Sequence, residues 1–318
     1  MPSALPPADE TLSASVENCH WGYFEAKLAP RLTVAPGTSV RIETVSGGPD
    51  HLPKGDFFIP PALADIHARS ERMLPGHILT GPVAIEGAEP GDLLEVKIEG
   101  IALAQDWGYT FFKPLGGTLP DAFPEGKFAH TRLDMEAGRA ETPWGTTLAT
   151  HPFFGVLGVA PPPEWGRCTS IIPRTFGGNL DNKSLVPGTS LFLPVYVPGA
   201  LFSCGDGHAA QGDGEVCGTA IETALNGVFS FAIHKGAATA RPYALTPTHL
   251  LTMATHPDLD VCAERALLDM IELVAATTAM TRDDAYMLAS LAADMKITQT
   301  VNQHKGVHCM IARELVGR

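Results

Sequence analysis

The 318-residue chain is 45% apolar and 18% charged, and 22 Lys and Arg against 35 Asp and Glu leave a formal charge of −13. That apolar share can offset the entropy of ordering, which excludes intrinsic disorder, while 32 Gly and 27 Pro would interrupt the helices of a bundle. An acidic chain is poorly matched to phosphate backbones or anionic lipid, so neither nucleic acid nor a membrane surface is an expected partner.

Residues 1–7 lack the basic start and apolar stretch of a secretory signal. Six cysteines without a C-x-x-C pair suit reduced, mostly packing thiols, and the expected location is the cytoplasm. Residues 31–45 read as two strands about a Pro36-Gly37 turn. Residues 83–101 repeat the arrangement about Glu89-Pro90-Gly91-Asp92, and residues 185–197 about Pro187-Gly188. Short strands joined by Pro-Gly turns predict a β-sandwich or barrel. Residues 189–204 carry no charge but are broken by Pro194, Pro198 and Gly199, so they read as buried strands rather than a bilayer span.

Apolar spacing predicts a helix over residues 258–280 and a second one capped by Thr281, followed by short strands over 297–301 and 307–311. The expected organisation is a mainly β body over residues 1–255 that carries the polar segment. The helix pair and terminal strands of 256–318 pack on that body without forming an independent domain.

The densest chemistry is Gly205-Asp206-Gly207-His208-Ala209-Ala210-Gln211-Gly212-Asp213-Gly214-Glu215, directly after the uncharged stretch. In extended backbone Asp206 and His208 share a face, as do Asp213 and Glu215. One imidazole and three carboxylates can hold a divalent cation and leave one carboxylate as a base. The same residues also suit a solvated glycine-rich loop whose acids cap backbone groups. The pattern is neither a dinucleotide fingerprint nor an EF-hand, and no P-loop, G-x-S-x-G or H-E-x-x-H motif occurs in the chain. His20, His77 and the Asn179/Asp181 pair lie in Gly- or Pro-flanked settings, each more often structural when taken alone. The remaining histidines, His51 among them, read as surface or packing residues, and Cys204 and Cys217 as packing residues.

Several stretches resemble the acetamidase/formamidase family: His77-Ile-Leu-Thr-Gly-Pro82, Glu86-Gly-Ala-Glu-Pro-Gly-Asp92, His151-Pro-Phe-Phe-Gly-Val-Leu-Gly-Val-Ala-Pro161, Gly177-Gly-Asn-Leu-Asp181 and the run from Gly199 to Val216. The resemblance implies a jelly-roll-like β-sandwich with α+β C-terminal additions, homo-oligomers and a divalent metal, zinc first, with calcium or manganese as alternatives. It also implies hydrolysis of short amides such as formamide and acetamide to carboxylate and ammonia. Alternatives at the same site are hydrolysis of a γ-lactam or carbamate, or a metal-bearing binding protein without catalysis. On this basis Asp181, Asp206 and His208 are the expected metal ligands, with His20 as an additional one. Glu215 is the expected general base and His77 a further expected catalytic residue, Asn179 and Asp213 are expected to bind substrate, and all three of His77, Asn179 and Asp213 are candidates for orienting substrate or supporting the metal ligands.

Overall fold

The computed structural model describes residues 5–317. Residues 1–4, which carry part of the reading of a leader-free N-terminus, lie outside the described residues. Two large sheets of nine and eleven strands face each other, and a two-stranded ribbon pairs Tyr23–Glu25 with Arg167–Thr169. The core between the sheets takes Val40, Ile42, Leu94, Val96 and Ile98 from one, and Leu79, Val83, Phe154, Val156 and Phe202 from the other. The protein is mainly β, with three α-helices among the described residues: Pro61–Arg69, Leu259–Thr277 and Arg282–Ala292.

The Pro-Gly turns are present, but the strands on either side do not pair with each other. Leu32–Val34 runs parallel to Ile78–Ile85 in the larger sheet, whereas Ser39–Glu43 pairs with Leu225–His234 in the smaller. The Gly37 N–H, at φ +91, donates to the Phe231 carbonyl at 2.7 Å and hooks the turn onto the second sheet. Ile78–Ile85 and Leu93–Leu103 likewise lie in different sheets. The Asp92 carboxylate fixes that corner by accepting from Glu89 N (2.8 Å), Gly236 N (3.0 Å) and Lys235 Nζ (2.7 Å), and the Lys235 contact holds its pKa below the ordinary value. The third turn leads only into Ser190–Pro194, while Leu185 is a buried core residue outside any strand. The first two turns are therefore corners between layers, where periodicity alone reads a hairpin.

Both C-terminal helices form where the spacing predicts. Asp258 caps the first by accepting from Asp260 N, and Thr281 and Asp284 form a capping box on the second. The first helix buries Cys262, Ala266, Met270 and Val274 against Leu250, Val307, Cys309 and Ile311. Ala293–Gln299 and Lys305–Ala312 form an antiparallel pair that extends the nine-stranded sheet beyond His249–His256. No helix is long and apolar enough to cross a membrane among the described residues, and all six cysteines are free.

Candidate active site

The site is made where the larger sheet splits. The strand Phe202–His208 is buried along its whole length and pairs on one edge with Phe153–Gly158. Its other edge changes partner: Ile78–Ile85 accompanies Phe202 through Gly205, and Glu222–Thr223 takes over at Gly207 and His208. Asp206 stands at the change, with φ +57. The gap opens into a cavity of about 730 Å³ lined by His77, Asn179, Asp206, Glu215, Glu222 and Asn302, among others.

Asp181, Asp206 and His208 bring one donor atom each within 4.8 Å of one another, and so do His208, Glu215 and Glu222; all five residues are buried. His208 Nε2 lies 3.3 Å from Asp206 Oδ2 and 3.2 Å from Glu222 Oε2, yet it has no hydrogen-bond partner, and neither has Asp181 Oδ1. The Gln211 side chain donates from Nε2 to the Asp181 carbonyl at 2.8 Å, so its Oε1, 2.9 Å from His208 Nδ1, is left to accept. In the neutral ring, the form that binds a cation, that network assigns the proton to Nδ1 and directs the Nε2 lone pair among carboxylates.

A Cβ placed on Gly155 would lie 2.5 Å from Asp206 Oδ2, 2.7 Å from His208 Cε1 and 2.8 Å from Asp181 Oδ1. These groups close over a position that only glycine leaves open. Unpaired buried donors around a small cradle, with carboxylate and imidazole chemistry, fit a divalent cation.

The electrostatics agree. Burial pushes the pKa of Glu215 up to about 7 and that of Glu222 up to about 8, and the Asp206 charge adds to both against the pull of His208. Burial and the Glu215 charge raise Asp181 well above the carboxylate range. Burial alone would lower His208, but the Glu222 and Asp206 charges more than reverse it. A cluster this rich in acids holds protons unless a cation replaces them.

Backbone strain collects at the same place. Asp181 (φ +48), Asp206 (+57), Glu215 (+42), Asn302 (+60) and Gln303 (+63) all occupy the left-handed region. Such a position costs on the order of 1–3 kcal/mol and persists where surrounding structure enforces it. Asn302 Nδ2 donates to Asp181 Oδ2 at 2.7 Å and lies 3.4 Å from Glu215 Oε2. Its loop is anchored where Gly214 N donates to Thr298 O and Thr300 N to Gly214 O. The C-terminal strand pair thus contributes to the site itself.

Among the expected residues, Asp181, Asp206, His208 and Glu215 come together. His77 lines the cavity with Nε2 3.6 Å from Asp206 Oδ1, and its Nδ1 is 3.2 Å from Ser170 Oγ. Asn179 also lines the cavity, donating from Nδ2 to Ile171 O while its buried Oδ1 has no partner. His20 is not brought to the cluster. Its Nε2 is 3.2 Å from Ser203 Oγ, and its pKa falls to about 4 through burial and the nearby Arg31 charge. Asp213 is not brought there either: it is exposed and pairs with Lys183 at 3.1 Å. Gly214 at φ +99 and Glu215 at φ +42 turn the chain, so the extended alternation that would put Asp213 and Glu215 on one face does not apply.

Glu222, Asn302, Gln211, Gly155 and His51, which lines the cavity, were not singled out by the sequence. Glu222 leaves one signal there, an acid alone within the apolar run Ala220-Ile221-Glu222-Thr223-Ala224-Leu225.

Residues 9–168 and 166–312 match the sequence profile of the Acetamidase/Formamidase family. The chain is 30% identical to an acetamidase of Mycolicibacterium smegmatis over 252 residues, 60% of each chain. It is 34% identical to a formamidase of Methylophilus methylotrophus over 202 residues, 46% of this chain and 49% of that one. It therefore spans about half to three-fifths of the length of these curated relatives. The crystal structure of an acetamidase from Bacillus halodurans superposes with a TM-score of 0.83 at 30% identity, covering 96% of this chain and 98% of that one. With its profile matched almost end to end, the chain belongs to the acetamidase/formamidase family.

Proposed function

We propose that this protein hydrolyses the C–N bond of small carboxamides, of the formamide and acetamide type, to a carboxylate and ammonia. The observation that carries the reading is the buried set of unpaired donors over Gly155, opening into a cavity that also holds a carboxylate of raised pKa. Asp181, Asp206 and His208 would hold a divalent cation, zinc first, with Glu222 beside them. A cation there supplies Lewis acidity toward a carbonyl oxygen and a nearby water.

The protein's own groups account for the proton traffic. Glu215, with a pKa near 7, is matched to taking a proton from water as its oxygen bonds to the carbonyl carbon, and to giving it to the nitrogen as the C–N bond breaks. Asn302 restrains that carboxylate, and Asn179 lines the cavity beside it as a residue for binding substrate. His77, beside Asp206, faces the same space.

The test is ammonia release from formamide, acetamide and a primary carbamate, and amino-acid formation from a γ-lactam, with Glu215→Gln in parallel. A base of this kind contributes about 10²–10⁴-fold, so the variant should keep its metal and lose at least about a hundredfold in turnover. Full turnover by Glu215→Gln would remove Glu215 as the base. Absence of ammonia from every amide would overturn the reading.

A further inference from the structure

His77 meets the cavity just before the strand Ile78–Ile85, and Ser170 follows directly on the ribbon strand Arg167–Thr169. Gly22 clamps the two together: its N–H donates to the His77 carbonyl at 2.9 Å, and its carbonyl accepts from Ser170 N at 2.8 Å. A Cβ on Gly76, at φ +141, would collide with Ser170 Oγ, so glycine there lets the hydroxyl come up against the next residue. Ser170 Oγ accepts from the His77 backbone N–H at 3.0 Å and lies 3.2 Å from His77 Nδ1.

A hydroxyl has one hydrogen to give and two lone pairs. Ser170 is 1% exposed, so solvent does not supply an acceptor, and among the described residues its hydroxyl meets only His77 N and His77 Nδ1. The backbone N–H takes one lone pair, and the hydrogen goes to Nδ1. Were Nδ1 protonated, in the other tautomer or in the charged ring, that hydrogen would be buried without a partner, which costs more than an ordinary hydrogen bond returns. The ring proton therefore sits on Nε2, 3.6 Å from Asp206 Oδ1 in the cavity lining.

We propose that Ser170 is a positioning residue for the amide reaction: it holds the His77 proton on Nε2, so that His77 is a hydrogen-bond donor toward Asp206 and toward the carbonyl oxygen of a bound amide. The inference rests on the amidase reading for the substrate and on the Ser170 contacts for the proton. It leaves the water proton to Glu215, because a ring with its hydrogen on Nε2 has no lone pair there to act as a base. A donor aimed at an oxygen that gains charge as water adds to the carbonyl carbon acts most strongly in the transition state.

The test is nitrogen NMR of the protein as purified, labelled at its histidines, beside Ser170→Ala, with the His77 signals assigned by their loss in His77→Gln. The expected wild-type spectrum shows His77 protonated at Nε2 and bare at Nδ1, and Ser170→Ala should spread the proton over both nitrogens. A proton on Nδ1 in the wild type, or an unchanged spectrum in Ser170→Ala, would overturn the inference. In turnover of acetamide, Ser170→Ala should lower kcat and kcat/KM together by about tenfold, the worth of one hydrogen bond. His77→Gln keeps an N–H but has no tautomer to fix, so adding Ser170→Ala to it should cost less than about twofold. An equal loss in both backgrounds would make Ser170 a structural residue only and overturn the inference. If no amide is cleaved the amidase reading fails, and the spectra alone uphold or overturn the placement of the proton.

Discussion

Gly155→Ala separates a metal cradle from an accidental gathering of acids. Gly155 lies in the strand Phe153–Gly158 and lacks a positive φ, so alanine meets no backbone penalty there. Its methyl would sit 2.5 Å from Asp206 Oδ2 and 2.8 Å from Asp181 Oδ1, against an optimal non-bonded separation of about 3.5 Å. Metal–oxygen bonds are about 2.0–2.2 Å, so a carbon so close to both oxygens takes the volume a cation needs. Overpacking costs about 1–3 kcal/mol and the stiffer unfolded chain returns about 0.4–1, leaving a net loss of about 1–2 kcal/mol. Metal affinity should fall more steeply, by at least about a hundredfold, beyond what losing one orienting hydrogen bond does. Elemental analysis, chelator competition and thermal unfolding measure the two effects. Gly212→Ala, whose Cβ would meet nothing within 4 Å, is the control and should keep its metal. Full metal occupancy at unchanged affinity in Gly155→Ala would refute the cradle.

Three other outcomes follow from particular contacts. Gln211→Leu removes the acceptor for His208 Nδ1 and should weaken metal binding about 10–100-fold while the fold persists, as read by chelator competition and circular dichroism. Thr281→Ala removes the cap whose side chain accepts from Asp284 N, and chemical denaturation should show a loss of about 1 kcal/mol. His308, 1% exposed with Nδ1 2.7 Å from Thr298 Oγ1, has its pKa lowered by burial to about 4. The unfolded chain therefore takes up a proton that the folded chain refuses. The resulting stability is complete above about pH 6.5 and declines as pH falls toward 4, by roughly 2 kcal/mol at pH 5. His308→Asn should flatten that decline in denaturation curves.

The sequence is most legible where one local rule decides the structure. The helix starts at Asp258 and Thr281 form as their side chains dictate, because capping is satisfied within three residues. The strands near Pro36-Gly37 and Glu89-Pro90-Gly91-Asp92 are also legible, but their partners are not. Alternation marks a strand without saying which sheet it joins, and long-range bonds such as Gly37 to Phe231 settle that. In the site, Asp206 and His208 share a local segment and are readable together. Glu222 and Asn302 arrive through strand register and a loop from the far end of the chain, which no spacing within one segment reports. Asp213 and Glu215 mislead because two positive-φ residues replace the extended backbone that alternation assumes. Gly155 is hidden for another reason: its contribution is the absence of a side chain.

Anomalous diffraction from crystals of the protein purified with its native metal would locate the ion held by the cradle. The expected result is one peak over Gly155, about 2.0–2.6 Å from Asp181 Oδ1, Asp206 Oδ2 and His208 Nε2. A peak held by other residues, or none there in protein that releases ammonia from acetamide, would contradict the account.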